Sequence, residues 1–116
     1  MEEKGLDTKT VQIATQVIIH AGNARMFVNE AINQVETGDF SDVEKTLNKA
    51  EEEITAAHAI QTDIIQSEAR GEELQISMLM THAQDVLMSA SIELHITRRF
   101  LKLIHMLLVN KTDHVS

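Results

Sequence analysis

The chain has 116 residues, a formal net charge of −8, and no Pro, Cys, Trp or Tyr. That length sets one domain, here residues 1–116, with a modest core that association with other copies would extend. The acidic balance excludes nucleic acid as a partner, and the lack of Cys excludes a disulfide scaffold and a thiolate metal site.

Ala, Glu, Gln, Leu, Met and Ile dominate, which favours helix throughout. The start of the chain, Met1 to Gly5, is too polar for a signal peptide. The apolar run near Leu103 to Val109 contains His105 and is far too short to span a bilayer. The expectation is a soluble, cytoplasmic, all-helical protein.

The first helix is predicted from an Asp7 or Thr8 cap to about Glu36. Its seam reads Val11, Ala14, Ile18, Ala21, Arg25, Val28, Ile32, Val35, alternating by three and four. Arg25 is the one charge on it, either snorkelling to water or held by a buried partner. Gly22 in mid-helix costs roughly 1 kcal/mol against Ala, which predicts close approach by another helix.

Gly38 supplies a C′ stop, Asp39 or Ser41 caps the second helix, and Ser41 with Glu44 fits a capping box. The short turn makes an antiparallel hairpin. The second seam is Val43, Leu47, Ala50, Ile54, Ala57, Gln61 and Ile64, ending near Arg70. His58 falls among these alanines and reads as a satisfied core histidine, with a catalytic role as the alternative.

Gly71 is the next breaker. A third helix is expected from Glu72 or Glu73 to about Val109, with Arg98, Arg99 and Lys102 complementing its C-terminal dipole. Three helices joined by short turns give an all-α, up-down-up three-helix bundle. In such a hairpin, level partners on the first two helices have numbers adding to roughly 75, and on the last two to roughly 142. Arg25 is then level with Glu93, which predicts a salt bridge, with Glu53 as the other candidate. His82 is level with Ile60 and Gln61, and Asp85 with Ala57 and His58.

The organising stretch is Met78 to Met88. Leu79, Met80, Ala83, Val86 and Leu87 form one apolar face, and Met78, Thr81, Asp85, Met88 and Ile92 form a second row at coiled-coil spacing. His82 and Asp85 are the only ionisable groups between Met78 and Met88. Spaced i, i+3, they are read either as a functional pair or as a structural ion pair in a non-catalytic helical oligomer or adaptor. A carboxylate metalloenzyme needs Glu-x-x-His pairs on facing helices, and Glu93 with His95, or Glu53 with His58, has the wrong spacing.

Several strings then resemble one family. They are His20-Ala-Gly-Asn-Ala-Arg25, Glu30-Ala31, Gly38-Asp-Phe40, Ala57-His58, Gln61-Thr62, Ile65-Gln66, Glu68-Ala69, Gly71 and Leu79-Met-Thr-His-Ala-Gln-Asp85 with Leu87-Met88. Together they resemble enzyme IIA of the lactose/cellobiose (N,N′-diacetylchitobiose) branch of the bacterial sugar phosphotransferase system. The resemblance implies a homotrimer gathered about its third helices, with His82 phosphorylated by phospho-HPr and passing the group to a cysteine of enzyme IIB. It also implies Asp85 at the threefold axis with a divalent metal, for which hard carboxylate oxygens suit Mg²⁺. No organic cofactor is implied, and no sugar is identified, because this component need never touch it. Gln84, with Thr81, is the neighbouring polar group able to position a transferred phosphoryl. Val86 stands where the family commonly has His. The segment from Ile96 to His105 is more basic than the family's, which bears on partner docking.

Overall fold

A computed structural model describes residues 8–71 and 78–115. The described residues form three helices: α1 (Thr8–Glu36), α2 (Val43–Ala69) and α3 (Met78–Val115). They run up, down and up. Among the described residues α1 packs along both neighbours, whereas α2 and α3 approach each other least.

The first turn is built by its own sequence. Gly38 has φ +83°, a left-handed conformation that costs glycine little. Its N–H donates to the Val35 carbonyl at 2.9 Å, and the Asp39 N–H donates to the Gln34 carbonyl at 2.9 Å. This is a Schellman closure, which uses up carbonyls the helix end would otherwise leave bare. Ser41 does not cap α2. Its hydroxyl and N–H both donate to Asp39 Oδ1, at 2.6 and 3.0 Å. The first backbone bond of α2 instead runs from Thr46 to the Asp42 carbonyl. The adjacent carboxylate outcompeted the helix terminus for the serine.

The core is rich in small side chains. Ala14, Val17, Ala21, Ala24, Val28 and Ala31 of α1 meet Val43, Leu47, Ala50, Ile54 and Ala57 of α2 and Ala83, Leu87, Ala90, Leu94 and Leu101 of α3. On α1 the buried stripe is turned from the predicted seam toward Val17, Ala24 and Ala31, because alanines allow the closest helix approach. Ile18, Ile32 and Val35 flank it.

Three further expectations are corrected. Gly22 is exposed, with nothing within 4 Å of where a Cβ would stand, so no helix approaches it. His58 is exposed rather than in the core. The third helix continues to Val115 instead of stopping near Val109. Arg98, Arg99 and Lys102 therefore lie well before its last turn and do not complement its dipole. The predicted start of that helix, at Glu72 or Glu73, lies outside the described residues.

Candidate functional site: an exposed histidine on the third helix

Long cross-helix pairs hold the frame beneath the site. Arg25 of α1 forks onto Glu93 of α3, with Nε to Oε1 at 3.1 Å and Nη2 to Oε2 at 2.5 Å. Both side chains are 43% exposed, so Arg25 has a partner without being buried. The Glu93 carboxylate, first as hydrogen-bond acceptor and then as a charge, raises the Arg25 pKa above its usual value. Glu53, the other candidate for Arg25, is taken by His20 Nδ1 at 2.8 Å and Asn23 Nδ2 at 3.3 Å. His20 thus ties α1 to α2.

Arg98 is the pairing that the sequence reading missed. It donates to Glu44 at 2.5 Å and Glu51 at 2.9 Å, and, at 3.4 Å each, to the Leu47 carbonyl and Asn48 Oδ1. One guanidinium thus bridges α3 to two turns of α2, where the two helices otherwise touch least. The signal was available, since Arg98 and Glu44 are level by the same arithmetic.

His82 lies in the second turn of α3, between exposed Thr81 and buried Ala83. Ala83 and Leu87 anchor this part of the helix in the core. His82 itself is exposed, as are Gln84 and Asp85. Among the described residues no hydrogen bond or ion pair joins His82 to Asp85, so the structural ion pair of the alternative reading is not formed within the chain. Nor does a hydrogen bond tie His82 to Gln61, Thr62 or His58 of α2. Two cavities, of about 460 and 450 Å³, lie between α1 and α2 and beside Phe40 and Leu101, and His82 lines neither.

The local chemistry is that of an exposed imidazole on the side of α3. A neutral ring nitrogen there can attack an electrophile brought by a partner, and the neighbouring amide and hydroxyl can orient the group. Neither cavity gives it an enclosed site for a small substrate. Asp85 likewise faces out. Among the described residues one chain gathers no group of three candidate metal ligands, so a cation at Asp85 needs carboxylates from other copies. Among the described residues Asp85 has no hydrogen-bond or ion-pair partner, and its hard carboxylate oxygens would suit such a shared site.

The family described as "PTS system, Lactose/Cellobiose specific IIA subunit" matches residues 12–105, spanning all three helices and both His82 and Asp85. The chain belongs to this family. It is a sugar-specific IIA component of the phosphotransferase system. The lichenan-specific phosphotransferase enzyme IIA component of Bacillus subtilis (strain 168) is 47% identical over 79 residues, 68% of this chain and 72% of that protein. The cellobiose-specific EIIA component of Lactococcus lactis subsp. lactis (strain IL1403) is 40% identical over 74 residues, 64% of each chain. The crystal structure of the cellobiose-specific enzyme IIA from Bacillus anthracis superposes with a TM-score of 0.83 at 40% identity, covering 90% of this chain and 95% of that one. The N,N′-diacetylchitobiose IIA of Escherichia coli, solved in complex with HPr, shares the fold with a TM-score of 0.73 at 24% identity, covering 92% of this chain and 98% of that one. No helix among the described residues is long and apolar enough to cross a membrane.

Proposed function

We propose that His82 is the transient phosphoryl carrier of this IIA component, loaded by phospho-HPr and unloaded onto a cysteine of enzyme IIB. The observation that carries this reading is an exposed motif histidine that has no hydrogen bond or ion pair among the described residues and lines neither cavity. A carrier between two proteins must reach into the site of each, so an exposed histidine suits it better than one in a cleft. His20 is held by Glu53, and His105 stacks on Phe40 with ring centroids 5.1 Å apart.

The transfer is an in-line displacement. A neutral His82 ring nitrogen attacks phosphorus, its new P–N bond replaces the P–N bond of phospho-HPr, and the departing imidazole keeps the electron pair. In the second step the IIB thiolate attacks phosphorus, a P–S bond forms, and His82 leaves with the electrons of the broken P–N bond and takes up a proton. Gln84 and Thr81 position the phosphoryl oxygens as hydrogen-bond donors.

The remaining reading is structural. Copies of the chain, each one IIA domain over residues 1–116, form a cytoplasmic homotrimer through α3, along the exposed row Met78, Thr81, Asp85, Met88 and Ile92. Three Asp85 carboxylates would hold one Mg²⁺ on the axis, which offsets their mutual repulsion and takes no part in phosphoryl chemistry.

Incubation with labelled phosphoenolpyruvate, enzyme I and HPr tests the carrier. One acid-labile, base-stable phosphate per chain is expected, absent in His82→Ala with helicity unchanged. Label that persists in His82→Ala, on His58 or His95 for example, overturns the assignment.

A further inference from the structure

At the height of the first turn the bundle loses one of its three walls. α1 ends at Glu36 and α2 starts at Val43, while α3 runs on past both. The cavity of about 450 Å³ opens in that layer, between the turn, the start of α2 and α3, and no α1 side chain lines it. Its floor is the end of the core, where Val43 is 8% exposed, Leu47 1% and Leu101 8%. Phe40 and His105, stacked with their planes at 16°, add two flat rings to the wall.

The charged groups of the lining are unevenly matched. Arg98 and Glu44 satisfy each other at 2.5 Å, and Glu51 holds Arg98 from outside the cavity at 2.9 Å. Lys102 also lines the cavity, and among the described residues it has no hydrogen bond or ion pair. One ammonium group is therefore left over beside an apolar floor.

A cavity of this size, with apolar walls and a few polar groups, is the ordinary form of a small-molecule site. Burying an apolar body there removes its surface from water, and an anionic head gives Lys102 the partner it lacks. A cation would be repelled. A sugar without such a head would set hydroxyls on Val43, Leu47 and Leu101, which cannot pair them.

We propose that this cavity binds a small amphipathic anion, with a flat apolar body on Val43, Leu47 and Leu101 and a phosphate or carboxylate head on Lys102. The site lies about 30 Å along α3 from His82. Leu101 continues the buried stripe of Ala83, Leu87 and Leu94, roughly opposite the row that holds Asp85. The site therefore depends on neither the phosphocarrier reading nor the trimer.

Amide nitrogen–proton correlation spectra of the full chain, titrated with phenyl phosphate, test the site. Resonances of Val43, Leu47, Leu101 and Lys102 should shift together and saturate, while those around His82 stay in place. Inorganic phosphate and benzyl alcohol, each carrying half of the ligand, should bind at least about tenfold more weakly. Lys102→Met should weaken phenyl phosphate about fivefold, the value of an exposed ion pair. Phe40→Leu should weaken it by about as much through the lost ring contact. Arg99→Met removes an exposed cation outside the lining and should leave the affinity unchanged. The same spectra report whether each variant keeps its fold. Absence of a saturable shift at these four residues with millimolar phenyl phosphate overturns the proposal. So does inorganic phosphate that binds as tightly, which would mark an adventitious ion only, or benzyl alcohol that does. An affinity that ignores both Lys102→Met and Phe40→Leu, or that falls equally in Arg99→Met, overturns it as well.

Discussion

Arg25 on α1 and Glu93 on α3 meet fork to fork across the parallel pair of helices, the shorter contact at 2.5 Å. Bidentate geometry favours the pair, but 43% exposure of each side chain lets water screen it. Removing one partner leaves the other in reach of solvent, so no charge is stranded. Arg25→Met and Glu93→Gln should each cost about 1 kcal/mol, with a coupling of similar size in a double-mutant cycle by urea unfolding. Because the folded Arg25 pKa is raised, its contribution is complete below the ordinary arginine value and is lost only as pH rises through the folded one. The coupling should therefore be flat, on the arginine's side, from pH 5 to 9. A cycle with no coupling would make the fork a surface contact without energetic weight.

Arg98 should matter more than its neighbour. It reaches four acceptors on α2, whereas exposed Arg99 makes no such contacts. Arg98→Met is expected to lower stability by about 1–2 kcal/mol, and Arg99→Met by less than about 0.5. Equal midpoints of thermal unfolding for the two variants would contradict the bridging role.

How far these pairings could be read in advance depended on the kind of signal. Turn chemistry at Gly38 and helix rise together made Arg25 level with Glu93, and rigid helices preserved that register over 68 positions. The same arithmetic contained Arg98 and Glu44, which passed unnoticed because Arg98 had been assigned to a helix end. That end was misjudged because no Gly or Pro stops α3 after Val109. Gly22 and His58 were misread for one reason: each lies one residue, about 100°, off its seam, next to Ala21 and Ala57. Ser41 was lost to Asp39, a competition between side chains that a cap motif does not encode. His82 and Asp85 were legible as groups on an otherwise uncharged stretch. Both side chains are exposed on α3.

The turn before α2 gives a pH test. Hydrogen bonds from the Ser41 hydroxyl, and then from its backbone N–H, hold the Asp39 pKa below the usual carboxylate value. A group with a depressed folded pKa contributes stability above its unfolded pKa and loses it as pH falls through the folded one. Wild type should therefore exceed Asp39→Ala in urea midpoint at pH 6. The gap should close below about pH 3.8, near the ordinary aspartate value. A gap of unchanged size at pH 2.5 would remove the carboxylate from the account.

Gln84 is the supporting residue of the proposed transfer. As an exposed amide two positions from His82, it can donate to phosphoryl oxygens without affecting the core. Gln84→Ala should slow labelling from phospho-HPr by roughly tenfold to a hundredfold, the value of one hydrogen bond to a charged group. Thermal stability should be unchanged, and Gln84→Asn should recover part of the rate. A labelling rate equal to wild type would leave Gln84 without a role, while His82 could still carry the phosphate.

Asp85 links assembly to a cation. In the proposed trimer three carboxylates converge, and at contact distance each pair repels by about 1 kcal/mol even at the dielectric of water. Asp85→Leu removes that repulsion and extends the apolar row from Met88, so in chelator it should melt above wild type. Millimolar Mg²⁺ should raise wild type alone, by about 2.7 kcal/mol once the ion exceeds its dissociation constant a hundredfold. The variant, lacking the oxygen ligands, should ignore the ion. Because Asp85 has no partner within its own chain, neither effect is expected of a monomer, and dilution below the assembly midpoint should abolish both. A trimer whose melting responds neither to Asp85→Leu nor to Mg²⁺ would take Asp85 off the axis, and its carboxylate would then be free to orient His82 from the neighbouring turn.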